Sequence, residues 1–132
     1  MIRLGIIVTL AVTIITLAVL EQHWIQGSYN ELDARVDAIV EMIGDLGVDE
    51  PVDSDANKAA IDSLYEWWLK RERRLTMLAR HFDLSQISIN LVYVRNFIHF
   101  DNKEEAYVGI LNTQYLIKTH AFNVGTSIQN VI

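Results

Sequence analysis

The residues most able to do chemistry stand between Trp67 and Arg80. Trp67 and Trp68 lead into Lys70, Arg71, Arg73 and Arg74, and Arg80 follows six residues later. Cations interleaved with indoles suit three partners: phosphate backbones, anionic lipid headgroups, or carboxylates of the same chain. The chain as a whole carries a formal net charge of −6 with a pI near 5.1. A nucleic-acid binder needs a net basic face to displace counterions, so nucleic acid ranks last. Headgroups, a membrane-protein partner and neighbouring acids such as Glu66 and Glu72 stay open.

Other chemistry is sparse. The chain lacks cysteine, which excludes a disulfide framework, thiolate zinc ligation and a Cys nucleophile. His23, His81, His99 and His120 are scattered, and none forms the i, i+4 pair of a helical zinc site. Residues 44–57, "GDLGVDEPVDSDAN", hold five acids without the D-x-D-x-D-G register of a calcium loop. Neither a phosphate-binding glycine loop nor a G-x-S-x-G elbow is present. The expectation is a non-enzymatic chain with no cofactor and no bound metal.

Positioning begins with residues 4–20, "LGIIVTLAVTIITLAVL", an uncharged stretch whose only polar residues are three threonines. As a helix it is about 26 Å long against a hydrocarbon core of about 30 Å. Met1 and Ile2 extend it at one end. Trp24 sits at the other, at headgroup height. A cleaved signal is the competing reading, but Ala18-Val19-Leu20 puts Leu where a small residue is wanted. The sequence therefore divides into a transmembrane signal-anchor over 1–23 and an extracytoplasmic part over 24–132. Arg3 precedes the span, and Glu21, Glu31 and Asp33 follow it before Arg35. The positive-inside rule then places the N-terminus in the cytoplasm.

Behind the span, Ile25, Tyr29, Leu32, Val36, Ile39, Ile43 and Leu46 recur at alternating steps of four and three. This heptad seam predicts a one-faced helix continuous with the anchor, with Gly27 as a weak point. Either the seam packs inside its own domain or it pairs with a second copy as a coiled coil. The 44–57 stretch reads as an acidic, solvated, flexible turn, with glycines at the helix end and Pro51 blocking continuation.

Ser54 or Asp55 is set to cap a second helix carrying Ile61, Leu64, Trp68, Leu75, Leu78 and Phe82, with Arg71 where the seam calls for an apolar residue. Asp83-Leu84-Ser85-Gln86 reads as a capping box before Leu84, Ile87, Leu91, Val94 and Ile98. Asp101-Asn102-Lys103-Glu104 is another, opening a last helix with Tyr107, Ile110, Leu111, Ile117, Ala121, Val124 and Ile128 on one face.

The predicted fold is all-α: an N-terminal transmembrane helix followed by an antiparallel bundle of about four helices. On that layout the second half of helix two returns toward the membrane. Trp24, Trp67, Lys70, Arg71, Arg73, Arg74 and Arg80 then become the candidate contact set for lipid or a partner. A last helix unbroken from Asn102 to Ile132 is about 45 Å long. It overshoots toward the bilayer unless it stops near Asn123–Gly125 or its tail docks at the membrane.

Pilins also start with an apolar helix, but residues 4–20 lack the Glu that follows the pilin cleavage site. From Trp67 onward, "WWLKRERRLTMLARHFDLSQISINLVYVRNFI" and "DNKEEAYVGILNTQYLIKTHAFNVGTSIQNVI" resemble an uncharacterised family of small, membrane-anchored helical proteins of Gram-positive spore-forming bacteria. The matching features are Trp67 and Trp68, His81, Asp83, Asp101 to Ala106 and Asn130. The resemblance implies a membrane-associated accessory role, and no functional residue carries over from it.

The functional expectation is a membrane-anchored interaction module, an accessory or scaffold subunit of a bacterial membrane assembly. Its partners would be membrane lipids and a membrane protein, with a homo-oligomer also allowed. The alternatives are a small-ligand sensor or carrier with an apolar groove near Trp68, Tyr93 and Phe97, and a self-assembling coiled coil.

Overall fold

A computed structural model of the chain describes residues 1–77 and 81–129, with side chains for 1–77 and 84–121. Four helices appear in order: α1 (Ile2–Gly44), α2 (Asp55–Leu75), α3 (His81–His99) and α4 (Lys103–Gln129).

α1 is a single helix of 43 residues, about 64 Å long. It changes character along its length. Residues 1–20 are exposed all round, and an 18-residue window there has a mean hydropathy of 2.4 with none of it buried. The hydroxyls of Thr9, Thr13 and Thr16 donate to the carbonyls of Gly5, Thr9 and Val12 at 2.8–2.9 Å. Each polar group on this apolar surface is thus satisfied by its own helix. From Ile25 the helix is one-faced: Ile25, Tyr29, Leu32, Val36, Ile39 and Ile43 are buried. The helix passes through Gly27 without interruption. A Cβ added there would meet nothing within 4 Å.

The later half of α1 and α2, α3 and α4 close an antiparallel four-helix ring. α1 packs on α2, α2 on α3, α3 on α4, and α4 back on α1. The heptad seam is consumed inside this bundle, with Val36 fully buried. Of the two readings of the seam, packing inside its own domain is the one that the burial of these residues within the bundle matches. Leu84, Ile87, Leu91, Val94 and Ile98 are all fully buried, matching their spacing. α4 differs from expectation. Ala106, Ile110, Thr113 and Ile117 face the core, while Tyr107 and Leu111 are displaced to a more exposed flank. Small residues let α4 lie close to α3. A Cβ on Gly109 would come within 2.9 Å of Val94 Cγ2.

The ends of the helices correct several local expectations. Asp45, in ordinary right-handed conformation, caps α1; no described glycine has positive φ. Ser54 caps α2, its Oγ accepting the Asn57 N–H at 3.2 Å. α3 begins at His81, so Asp83 stands in the first turn and not at the N-cap. An acid in a first turn is favoured by the helix dipole in either register, which makes the two starts hard to separate by composition. α4 is capped by Asn102, whose Oδ1 accepts the Glu105 N–H at 3.2 Å. Asp101 is occupied elsewhere. Its φ is 54°, the left-handed position of a Schellman turn, with Asn102 N donating to Phe97 O and Asp101 N to Ile98 O.

The acidic turn is better ordered than its composition implies. Val52 is fully buried, and its N–H donates to Asp101 Oδ1 at 2.9 Å. Lys103 Nζ donates to the carbonyls of Gly47 at 2.6 Å, Val48 at 3.2 Å and Glu50 at 3.3 Å. The acids stay in solvent while the backbone is clamped from the α3–α4 turn.

α4 continues past Gly125 to Gln129, so of the two ways to avoid the overshoot the stop at Asn123–Gly125 is not the one taken. Gln114 Nε2 donates to Asp37 Oδ1 at 2.9 Å, and Tyr107 lies against Gly44. In that antiparallel register Gln129 comes level with about residue 22, beside the end of the apolar stretch. The overshoot disappears because α4 starts as far from the span as α1 ends.

Candidate membrane-facing site

Trp24, Ser28, Glu31 and Arg35 follow one another at steps of four, three and four on α1. They form a stripe beside the buried seam, facing α2. Trp67 and Arg71, four apart on α2, meet it. Arg71 Nη2 pairs with Glu31 Oε2 at 3.2 Å, and its Nη1 reaches the buried Ser28 Oγ at 3.4 Å. Its guanidinium lies 5.9 Å from the Trp24 ring centre and 5.4 Å from that of Trp67. Arg35 takes the other carboxylate oxygen of Glu31 at 3.1 Å and stacks 4.5 Å over Trp67. One carboxylate is shared by two guanidiniums, and two indoles are interleaved with them. The groups are part-exposed, so each ion pair contributes at most about 1 kcal/mol. The cation–π contacts add a similar amount, about 0.5–1 kcal/mol each.

Of the seven candidate contact residues, Trp24, Trp67 and Arg71 therefore come together, and they do so within the chain. Lys70, Arg73 and Arg74 are exposed. Among the described residues none of the three has an acid within ion-pair distance. Arg80 lies outside the described residues. Arg71 touches Trp24, Ser28 and Glu31, which stand four to eleven residues, about 6–16 Å, beyond Leu20. Arg73 and Arg74 are up to one turn nearer the span.

Ser28, Glu31 and Arg35 join this cluster from α1, which spacing along the chain does not reveal. A charge at a seam position of α2 was the available signal that a carboxylate waits on a neighbouring helix. Trp68 is core, as its spacing implies. It is fully buried, and its Nε1 donates to Ser88 Oγ at 2.8 Å.

A second polar group joins α2 to α3 farther from the span. Asp62 Oδ1 accepts from Arg95 Nε at 2.6 Å and contacts His99 Nε2 at 2.9 Å. Arg95 lies 5.4 Å from the Tyr65 ring centre. Burial alone would raise the pKa of Asp62. The hydrogen bonds and charges of Arg95 and His99 outweigh it and hold the carboxyl below its ordinary range. Among the described residues no group of three or more His, Asp and Glu side chains is placed to hold a metal.

Ile2, Gly5, Ile6, Thr9, Leu10 and Thr13 form a shallow open depression on one exposed face of the apolar stretch of α1. The residues expected around a ligand groove in the bundle do not converge. Trp68 is in the core, whereas Tyr93 is exposed on the outside of α3.

Compared with known proteins, the chain matches no family model, no curated protein and no solved structure.

Proposed function

We propose that the chain is a single-pass, membrane-anchored helical interaction module, an accessory or scaffold subunit of a bacterial membrane protein assembly. The observation that carries the reading is the continuity of α1. One helix is uncharged and exposed on every side over residues 4–20, then becomes the first member of a four-helix bundle. A surface of that kind is stable in hydrocarbon and costly in water. On this reading residues 1–23 are an uncleaved signal-anchor, the N-terminus is cytoplasmic and 24–132 are extracytoplasmic. Val108, Leu111 and Tyr115 are exposed on the outer face of α4 at helical spacing, which supports a protein partner. The resemblance to membrane-anchored proteins of spore formers points the same way.

The test uses the full-length chain in native membranes. Alkaline washing is expected to leave it in the pellet, and intact mass is expected to include residues 1–20. Release by washing, or a mature chain starting beyond Leu20, defeats the anchor. A photo-crosslinker at Leu111 is expected to trap one membrane protein in stoichiometric yield. A lone monomer in detergent with no adduct defeats the subunit role.

A further inference from the structure

Lys70, Arg73, Arg74 and Met77 follow one another at i, i+3, i+4 and i+7. That spacing puts Lys70, Arg73 and Arg74 on the outer side of the last turns of α2, opposite Ile61, Leu64, Trp68 and Leu75 of the core, and Met77 follows in the turn just past the helix end. Met77 is 86% exposed. Among the described residues this basic stripe has no acid within ion-pair distance, and it ends in an exposed apolar residue.

Its height narrows the choice of partner. Arg71 is fixed beside Trp24 through the two indoles and Glu31. α1 is unbroken from there back to the apolar stretch. The stripe therefore starts at Lys70, about level with Glu31 and roughly 16 Å beyond Leu20, and runs toward the apolar stretch, so that Arg74 and Met77 come nearest to it. The headgroup layer on each side of a bilayer is about 5–7 Å deep. Long arginine side chains extend their charge farther, along their apolar stems.

The opposite end of the bundle has the opposite charge. Asp45, Asp49, Glu50 and Asp55 are exposed in and beside the 45–54 loop, and Glu104 and Glu105 are exposed next to it. An anionic surface attracts the near end and repels the far one. The acid sharing the outer face of α2 is Glu66, a turn farther from the span than Lys70.

We infer that the near end of the bundle is a docking surface for anionic phospholipid headgroups. Lys70, Arg73 and Arg74 supply the charge, and Met77 supplies the apolar contact. The inference rests on the anchor reading and adds to it that the bundle stands upright on the membrane, held by lipid charge.

The absence of cysteine allows single labels. Full-length Met77→Cys and Val48→Cys chains carry an environment-sensitive fluorophore and are reconstituted in vesicles with quencher-bearing headgroups. One set of vesicles is phosphatidylcholine; the other contains about one-third phosphatidylglycerol. The label at 77 is expected to be quenched strongly in the anionic vesicles and weakly in the neutral ones. The label at 48, in the far loop, is expected to be unquenched in both. Adding Arg73→Gln and Arg74→Gln is expected to lower the lipid-contact equilibrium about 25-fold, at about fivefold per cation. Both arginines are exposed, and unchanged helical circular dichroism verifies the fold. Raising the salt to several tenths molar is expected to weaken the contact in the same direction. Equal quenching at 77 in both lipids, or no response to the double substitution, overturns the inference. Protection of 77 only when a co-purified protein is present overturns it too, assigning the face to protein. A chain that resists alkaline washing but ignores lipid charge fails here alone; one that washes out fails the anchor reading as well.

Discussion

At the far end of the bundle, Lys103 and Asp101 bind backbone groups of the 45–54 loop. At the near end, Arg71 and Arg35 bind side chains of Glu31, Trp24 and Trp67. The far clamp works on fixed partners. Three carbonyls and one N–H are oriented by the turn itself, so little extra freedom is lost when the lysine and the aspartate close on them. The near clamp joins long side chains, and each must be immobilised to hold the next. The far end is also complete: its buried Val52 N–H has its acceptor, and its loop is tied down. Among the described residues the near end leaves Lys70, Arg73 and Arg74 without an acid at ion-pair distance. Two ends of one bundle, built from the same residue types, thus differ in what remains available to a partner.

The largest break in that contrast should come from Asp101→Ala. It leaves the buried Val52 N–H without its acceptor and places a Cβ-bearing residue at φ 54° with no side-chain compensation. The expected loss is about 2–4 kcal/mol of unfolding free energy. Urea unfolding of the full-length chain in detergent, followed by helical circular dichroism, measures it. Asp101→Asn keeps an acceptor and tolerates the left-handed turn, so it should recover most of the loss. If Asp101→Ala unfolds like wild type, the far clamp is not the tighter one.

Arg71→Met should cost less, about 1 kcal/mol or below, since Glu31 keeps Arg35 and the pair is part-exposed. The same unfolding experiment reads it, and Trp67 fluorescence should shift as one cation leaves its ring. A cost well above that of Asp101→Ala would reverse the ranking of the two ends.

The smallest effect is expected from the strut between them. Asp62 has a folded pKa below its unfolded value, so its contribution is present above the ordinary carboxylate pKa. It is lost as pH falls through the depressed folded value, that is below about pH 4. Asp62→Asn should flatten stability against pH in that acid window and nowhere above it. An unchanged acid limb would remove Asp62 from the account.

Much of this fold was legible because helices announce themselves locally. The steps of four and three from Ile25 to Ile43 are the buried face of α1, and Leu84 to Ile98 are that of α3. Ser54 capped as its type suggests. The legible part thins at the connections. Asp83 and Asp101 both looked like N-caps, yet Asp83 stands inside a first turn and Asp101 went to a Schellman turn and a distant N–H. Tyr107 and Leu111 passed for core because α4 is apolar over a wider arc than the bundle covers. The sequence leaves open whether α4 stops near Gly125, because the answer depends on its register against α1, which Gln114 and Asp37 reveal.

Of the candidate contact set, composition and spacing alone identified the cations and the height to which α2 returns. They did not reveal which cation was already engaged. Arg71 and Arg74 are both arginines near the end of one amphipathic helix. Only the rotation and register of α2 against α1 put Arg71 on Glu31 and left Arg74 in solvent. The same holds for Lys103, whose three carbonyls lie more than fifty residues earlier in the chain.

The order of amino acids by itself determined the apolar stretch, the helical faces and the breaks between them. Those depend on interactions within about four residues, which a linear pattern records. The tertiary structure alone decided which charges are paired, how far α4 descends and what holds the acidic loop. Those depend on how separate helices slide and turn against each other until their buried faces fit, and no single stretch of chain encodes that.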